Sequence, residues 1–232
     1  MNKLANFVTF LSLICGFISI IFSLEGHFTF ASWAILFAVI FDGLDGQIAK
    51  KNPVPSEFGK ELDSLVDVVS FGIAPALLGY IFVYRSFYFW ATLTLFIYLI
   101  CSITRLAKYN ITPKEKMTHY FYGLPTTISG GTLASFVLIY RRYTQSPPPF
   151  IFLLLVLTMA ILMVSRVRYI NLDGLKRISK KSMLPFLIAV LIMLLVHIAF
   201  YLITSVFLPE IIIFTLFALY LIFSPFIIKK FV

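Results

Sequence analysis

Apolar residues fall into eight long blocks separated by short polar stretches, near residues 4–24, 28–48, 60–83, 87–107, 123–141, 149–166, 183–205 and 209–228. An α-helix crosses the hydrocarbon core of a bilayer with about 20 apolar residues. Inside lipid a helix also satisfies its own backbone hydrogen bonds, which an open strand does not. The pattern therefore predicts an all-α fold, a polytopic transmembrane helix bundle of about eight spans. Asn52, Pro53 and Pro55 break the helix between the second and third blocks, and Ser56 suits the N-cap of the third. Pro147, Pro148 and Pro149 mark a turn between the fifth and sixth blocks. A re-entrant segment within 123–166 is the alternative to two full spans there. The first block is too long for a signal-peptide core and no small-residue cleavage site is evident, so it reads as a retained span.

Composition excludes a soluble domain: 60% of residues are hydrophobic and 12% charged. With the loop after the second block placed inside, sixteen of the nineteen Lys and Arg residues share that side, leaving Arg85, Arg141 and Arg142 opposite. This positive-inside bias predicts a cell-membrane protein with both termini, and the stretch near 42–60, facing the cytoplasm. The net charge of +9 then reflects topology and anionic head groups, and no nucleic-acid partner is expected. The basic stretch 166–182 reads as a dock for lipid head groups. Cys15 and Cys101 lie in separate apolar blocks without metal-type spacing and read as small buried hydrophobes. His27, His119 and His197 have no partner at ligand spacing, so structural roles are expected. No internal repeat stands out. The last two blocks carry no chemical motif and read as an appended helical pair.

Against this background, six of the ten acidic residues crowd into one stretch: Asp42, Asp45, Glu57, Glu61, Asp63 and Asp67. Asp42 and Asp45 are three apart at the end of one helix, and Asp63 and Asp67 four apart near the start of the next. Both spacings put the pair on one helix face. The short connection makes the two helices antiparallel neighbours whose acids can meet. Two such charges about 5 Å apart repel by roughly 3 kcal/mol at an effective dielectric of about 20. Four of them ask for a cation, and hard oxygen ligands favour Mg2+, Mn2+ or Ca2+ over zinc. Four carboxylates can hold two such ions, as phosphoryl-transfer sites do. Gly46 and Gly59 lack side chains beside these acids, and Ala49 extends the low surface, so a bulky ligand can approach the backbone. Lys50 adds a positive charge for phosphate. Together these residues describe a pocket for a nucleotide diphosphate and its metal. Glu57 and Glu61 add solvation or cation attraction.

The stretch resembles the signature of the CDP-alcohol phosphatidyltransferase family, D-x-x-D-G-x-x-A-R, then about eight residues, then G-x-x-x-D-x-x-x-D. The chain supplies Asp42, Asp45, Gly46 and Ala49, the eight residues from Lys51 to Phe58, then Gly59, Asp63 and Asp67. Lys50 stands where the family usually has Arg, which keeps the charge but loses the planar fork. Further stretches are similar to the phosphatidylserine synthase branch. Residues 63–76 resemble its third span, and Arg105–Asn110 resembles its R-L-A-R-F-N with Lys108 for Arg and Tyr109 for Phe. Phe121, Gly123, Leu124 and Pro125 match its F-x-G-L-P, and residues 163–169 the end of its sixth span. Asn6 and Thr9 match the N-x-x-T that opens its first span. The resemblance covers roughly 1–175. It divides the chain into a CDP-alcohol phosphatidyltransferase membrane domain, 1–175, and a basic loop plus two-helix extension, 176–232.

The resemblance implies a lipid synthase acting on CDP-diacylglycerol or CDP-archaeol and L-serine, with CMP released. It implies a homodimer among membrane lipids, served by Mg2+ or Mn2+, with Ca2+ a non-productive substitute. In that scheme Asp42, Asp45, Asp63 and Asp67 hold metal, and Asp67 also acts as general base. Asn6, Thr9, Gly46, Ala49, Lys50 and Gly59 contact the CDP-lipid. Arg105, Lys108 and Asn110, at the cytoplasmic end of the fourth span, meet the serine carboxylate. Three rivals remain: the same fold with glycerol phosphate or inositol phosphate as acceptor, an intramembrane prenyltransferase, and a cation transporter. A transporter places its carboxylates near the bilayer midplane on broken helices, with a repeat in the chain.

Overall fold

A computed structural model describes residues 3–50, 57–83, 88–112, 120–143, 149–171, 180–204 and 208–231. The elements are α1 (Lys3–Leu24), α2 (Phe28–Lys50), α3 (Glu57–Asp67), a π-helical stretch (Val68–Ile73), α4 (Ala74–Val83), α5 (Tyr88–Ile111), β1 (Tyr120–Tyr122), α6 (Thr126–Tyr143), α7 (Pro149–Val164), β2 (Arg168–Ile170), α8 (Lys180–Thr204) and α9 (Pro209–Phe231). With α3, the π stretch and α4 taken as one rod, the eight apolar blocks correspond to eight helices. Six are long and apolar enough to cross a membrane: Lys3–Leu24, Phe28–Lys50, Glu57–Val83, Tyr88–Ile111, Met183–Leu202 and Pro209–Ile228. The protein is a multi-pass, all-α membrane protein. The expected helix break at Pro53 and Pro55, the cap at Ser56, Pro147, Pro148, His119 and residues 172–179 of the basic loop lie outside the described residues. The fifth and sixth blocks form separate helices, α6 and α7.

Within lipid, helices associate by close packing of small residues and by hydrogen bonds, because lipid tails are as apolar as leucine. α1 follows this rule. It buries Ala5, Asn6, Thr9, Ser12, Gly16, Ser19 and Ser23, a stripe recurring every three or four residues. Leu4, Phe7, Phe10, Ile14, Phe17 and Ile21 are exposed instead. Ser12 Oγ donates to the Ala38 carbonyl of α2 at 3.2 Å, and Ser70 Oγ of the π stretch donates to the Ser12 carbonyl at 3.1 Å. A Cβ on Gly16 would lie 2.5 Å from Ser70 Oγ, so a glycine there lets α1 reach the π stretch. Cys15 and Cys101 are free, half-buried thiols.

α6 occupies the centre. It is buried at Thr126 and at every position from Ser129 to Leu138. Gly130 lies against Phe71 and Pro75, and Gly131 against Phe217 of α9. This explains why α6 is less apolar than its neighbours: its surface meets protein, where Ser, Thr and Gly pack better than long aliphatic chains. Around it, Ile35, Phe71, Leu78, Tyr98, Leu133, Val137, Phe152 and Met159 form one buried core.

The two C-terminal helices differ in their packing. Ile213, Phe214, Phe217, Tyr220 and Leu221 of α9 pack against the main core. Arg142 at the end of α6 donates to Glu210 at the start of α9. α8 packs on α9 and is otherwise little buried.

A small antiparallel sheet joins the start of α6 to the end of α7. β1 pairs with β2 in the register Tyr120 with Ile170, Phe121 with Tyr169, and Tyr122 with Arg168. The apolar pattern gave no sign of it, because a three-residue strand is too short to show alternation. Gly123 follows β1 with φ +76°, and a Cβ there would overlap the Met163 carbonyl. Its amide donates to the Val167 carbonyl at 2.8 Å, and the Leu124 amide to the Leu162 carbonyl at 3.0 Å.

Candidate active site

The C-terminal halves of α2 and α3 bring their acids together, with Asp67 the last residue of α3. Asp42, Asp63 and Asp67 each offer a carboxylate oxygen, all within 4.8 Å of one another. Asp42 and Asp67 face each other within hydrogen-bonding reach. Asp45 is buried beside Asp42 and Asp63 but stands outside that tightest group. It lies against Thr9 of α1, whose hydroxyl donates to the Ala5 carbonyl at 3.0 Å. Of the four acids expected to meet, three therefore converge and one flanks them.

The donor set fits a hard divalent cation. Carboxylates 4.8 Å apart repel by roughly 3 kcal/mol per pair at an effective dielectric of about 20. Asp45 Oδ2 and Asp67 Oδ1 are buried and have no hydrogen-bond partner among the described residues. Leaving such an acceptor unpaired costs about 1–3 kcal/mol, more for a charged group. An oxygen-seeking cation removes both penalties. Thr127, at the start of α6, donates to Asp42 Oδ2 at 3.2 Å and so orients one of the three clustered carboxylates.

The surface beside the acids is low. Gly46 and Ala49 are exposed on α2, and a Cβ on Gly46 would meet nothing within 4 Å among the described residues. Lys50 ends α2. Gly59 is half-buried in α3, one turn before Asp63. Asn6 is buried near the start of α1, on the face that carries Thr9.

A basic region adjoins the acids. Arg105 near the end of α5 is buried, and its Nη1 donates to Thr126 Oγ1 at 3.2 Å. Its guanidinium carbon sits 5.4 Å from the Tyr109 ring centroid and 6.0 Å from that of Phe121. Its charge acts on Asp42, Asp63 and Asp67. Arg105 also lines a cavity of about 500 Å³ with Lys108, Tyr109, Tyr122, Ser165 and Arg166. One cation thus stands between the acid cluster and a pocket large enough for a small polar molecule. Lys108 reaches the same pocket. Asn110 is engaged elsewhere: its amide donates to Ser64 Oγ at 2.8 Å, and its carbonyl accepts from Lys60 Nζ at 2.7 Å. Those two bonds tie the end of α5 to α3.

The sequence reading missed Thr126, Thr127 and the wall that Phe121 makes for Arg105. A signal was present. Two adjacent threonines open an apolar block directly after the Phe121–Pro125 stretch, where a lipid-facing helix has no use for them.

The family model described as CDP-alcohol phosphatidyltransferase matches residues 2–164. The chain is 32% identical over 173 residues to the CDP-diacylglycerol–serine O-phosphatidyltransferase of Helicobacter pylori, covering 74% of this chain and 73% of that protein. It is 34% identical over 173 residues to the archaetidylserine synthase of Methanothermobacter thermautotrophicus, covering 74% and 71%. It is 33% identical over 172 residues to the CDP-diacylglycerol–serine O-phosphatidyltransferase of Bacillus subtilis, covering 73% and 90%.

Proposed function

The chain belongs to the CDP-alcohol phosphatidyltransferase family, and from that premise we propose that it transfers a phosphatidyl or archaetidyl group from a CDP-lipid to L-serine, releasing CMP. The observation that carries this reading is the acid cluster of half-buried Asp42 and Asp63 and buried Asp67 beside Arg105 and its cavity. Asp42, Asp45, Asp63 and Asp67 would hold Mg2+ or Mn2+. When bound, the cation neutralises charge that develops on the departing CMP and screens the carboxylates from one another.

The protein's own groups do the rest. Gly46, Ala49 and Gly59 leave room for the nucleotide, Lys50 adds charge near its phosphates, and Asn6 and Thr9 line the α1 side. The lipid tails lie along the apolar helices. Arg105 and Lys108 receive the serine carboxylate, with Asn110 holding α5 against α3 beside them. Asp67 takes the proton of the serine hydroxyl as that hydroxyl oxygen attacks the phosphorus nearest the lipid. The phosphoanhydride bond to CMP breaks as the new phosphodiester forms.

The positive-inside bias supports a site, and both termini, on the cytoplasmic side of the cell membrane. Family membership supports a homodimer. The segment 176–232 extends the family domain of 1–175.

Arg105, Lys108 and Arg166 on one cavity would also receive a phosphorylated alcohol, which keeps glycerol phosphate and inositol phosphate as a second reading. Purified protein incubated with a CDP-lipid, Mg2+ or Mn2+ and a panel of alcohols decides between them. Serine-dependent CMP release is expected. CMP release with a phosphorylated alcohol alone replaces the acceptor, and release of pyrophosphate in place of CMP overturns the reaction class.

A further inference from the structure

The family match ends at residue 164, yet a helix beyond it reaches the acceptor end of the site. Tyr220 of α9 stacks on Tyr169 of β2, with ring centroids 5.9 Å apart and planes 21° apart. Its hydroxyl donates to the Ile170 carbonyl at 2.9 Å. One turn on, buried Ser224 Oγ accepts from the Ile170 amide at 2.6 Å. Both backbone groups of Ile170 are therefore held by α9.

The consequence passes through the sheet. Tyr169 pairs with Phe121 across β1 and β2. Phe121 stands edge-on to Tyr109 at 5.6 Å and over the Arg105 guanidinium. Tyr220 is also near enough to Arg105 for the two to interact electrostatically. Two three-residue strands do not hold together unaided. Released from α9, β2 frays from its Ile170 end, β1 loses its partner, and the aromatic wall that confines Arg105 loosens.

We propose that Tyr220, assisted by Ser224, is a positioning residue for the acceptor. It fixes the strand pair so that Phe121 and Tyr109 hold Arg105 at the cavity. This rests on the reading of that cavity as the serine site.

The test uses the full chain in lipid or detergent, with Tyr220→Phe and Ser224→Ala compared with Glu210→Gln at the opposite end of α9. The readouts are KM for serine, KM for CDP-lipid, kcat, melting temperature, and amide hydrogen exchange at residues 120–124. Loss of one hydrogen bond corresponds to roughly threefold to tenfold, so Tyr220→Phe should raise serine KM by about that factor and leave CDP-lipid KM within about twofold. It should also speed exchange at β1. Glu210→Gln lowers the melting temperature without moving serine KM or β1 exchange. Equal changes in both KM values, or β1 exchange that does not respond to Tyr220→Phe, overturn the proposal. If the wild type releases CMP only with another alcohol, the serine reading fails on its own. The same KM comparison with that alcohol then decides the role of Tyr220.

Discussion

Tyr98 Oη donates to the Phe71 carbonyl at 2.8 Å, so a fully buried tyrosine on α5 grips the π-helical stretch that begins directly after Asp67. From the other side, Ser70 of the same stretch is bonded to Ser12 of α1. A π turn carries an extra residue and persists where side chains outside the helix hold it. Here two neighbouring helices do so, and the position of Asp67 at the head of the stretch follows from both. Tyr98→Phe keeps the packing and removes the donor. It should cost about 1 kcal/mol of stability, read by thermal melting. It should lower kcat with little change in serine KM, because the general base moves while the acceptor site stays. An unchanged kcat would detach the π stretch from catalysis.

The acids and the metal predict opposite effects on stability. Without metal, removing one charge from a group within 4.8 Å relieves repulsion of roughly 3 kcal/mol per pair. Asp42→Asn, Asp63→Asn and Asp67→Asn should therefore melt no lower than wild type in EDTA. Adding Mg2+ or Mn2+ should raise the wild-type melt, by about 2.7 kcal/mol at a hundred times Kd, and barely move the three variants. Their CMP release should fall by about a hundredfold or more, the scale of losing a group that stabilises transition-state charge. A wild type whose melting ignores divalent ions would sink the metal site.

Arg105 makes three kinds of contact: a hydrogen bond to Thr126, aromatic walls from Tyr109 and Phe121, and a face on the cavity. Lysine keeps the charge but neither the fork nor the flat surface. Arg105→Lys should raise serine KM by about tenfold, the loss of one charge-assisted bond, and leave CDP-lipid KM nearly unchanged. Arg105→Ala should raise serine KM further still. Equal effects of Arg105→Ala on both substrates would place Arg105 outside the acceptor site.

What could be read from the chain alone follows from the physics that wrote each signal. Bilayer thickness imposes a length on every span, so the helices were legible as apolar blocks. Helical periodicity brings Asp63 and Asp67 to one face, so the acid cluster was legible from spacing. Asp45 was placed with the others because spacing says nothing of how α2 is rotated. It turns beside Thr9 and flanks the group formed by Asp42, Asp63 and Asp67. Asn110 sits in a motif beside Arg105, but its side chain bonds to Ser64, a contact 46 residues away that no local pattern encodes. Hydropathy marked α9 as apolar and no more. That Tyr220 and Ser224 grip β2 depends on a sheet whose strands are 45 or more residues apart and three residues long.

Two glycines give the sharpest contrast between a site and a scaffold. A Cβ on Gly46 would meet nothing within 4 Å among the described residues, so the described fold does not require the glycine there. Gly46→Leu improves helix propensity by up to about 1 kcal/mol and should melt at or above the wild type. The same substitution fills the space assigned to the nucleotide, so CDP-lipid KM should rise steeply and CMP release fall, with Gly46→Ala between the two. Gly123 is the reverse. Its φ of +76° and the overlap of any Cβ with the Met163 carbonyl make glycine a structural requirement of the turn into α6. Gly123→Ala should destabilise the protein by about 1–3 kcal/mol and depress every kinetic parameter together. Melting curves beside substrate titrations check both. A Gly46→Leu protein that bound CDP-lipid normally would show that the open face of α2 is not where the nucleotide lies.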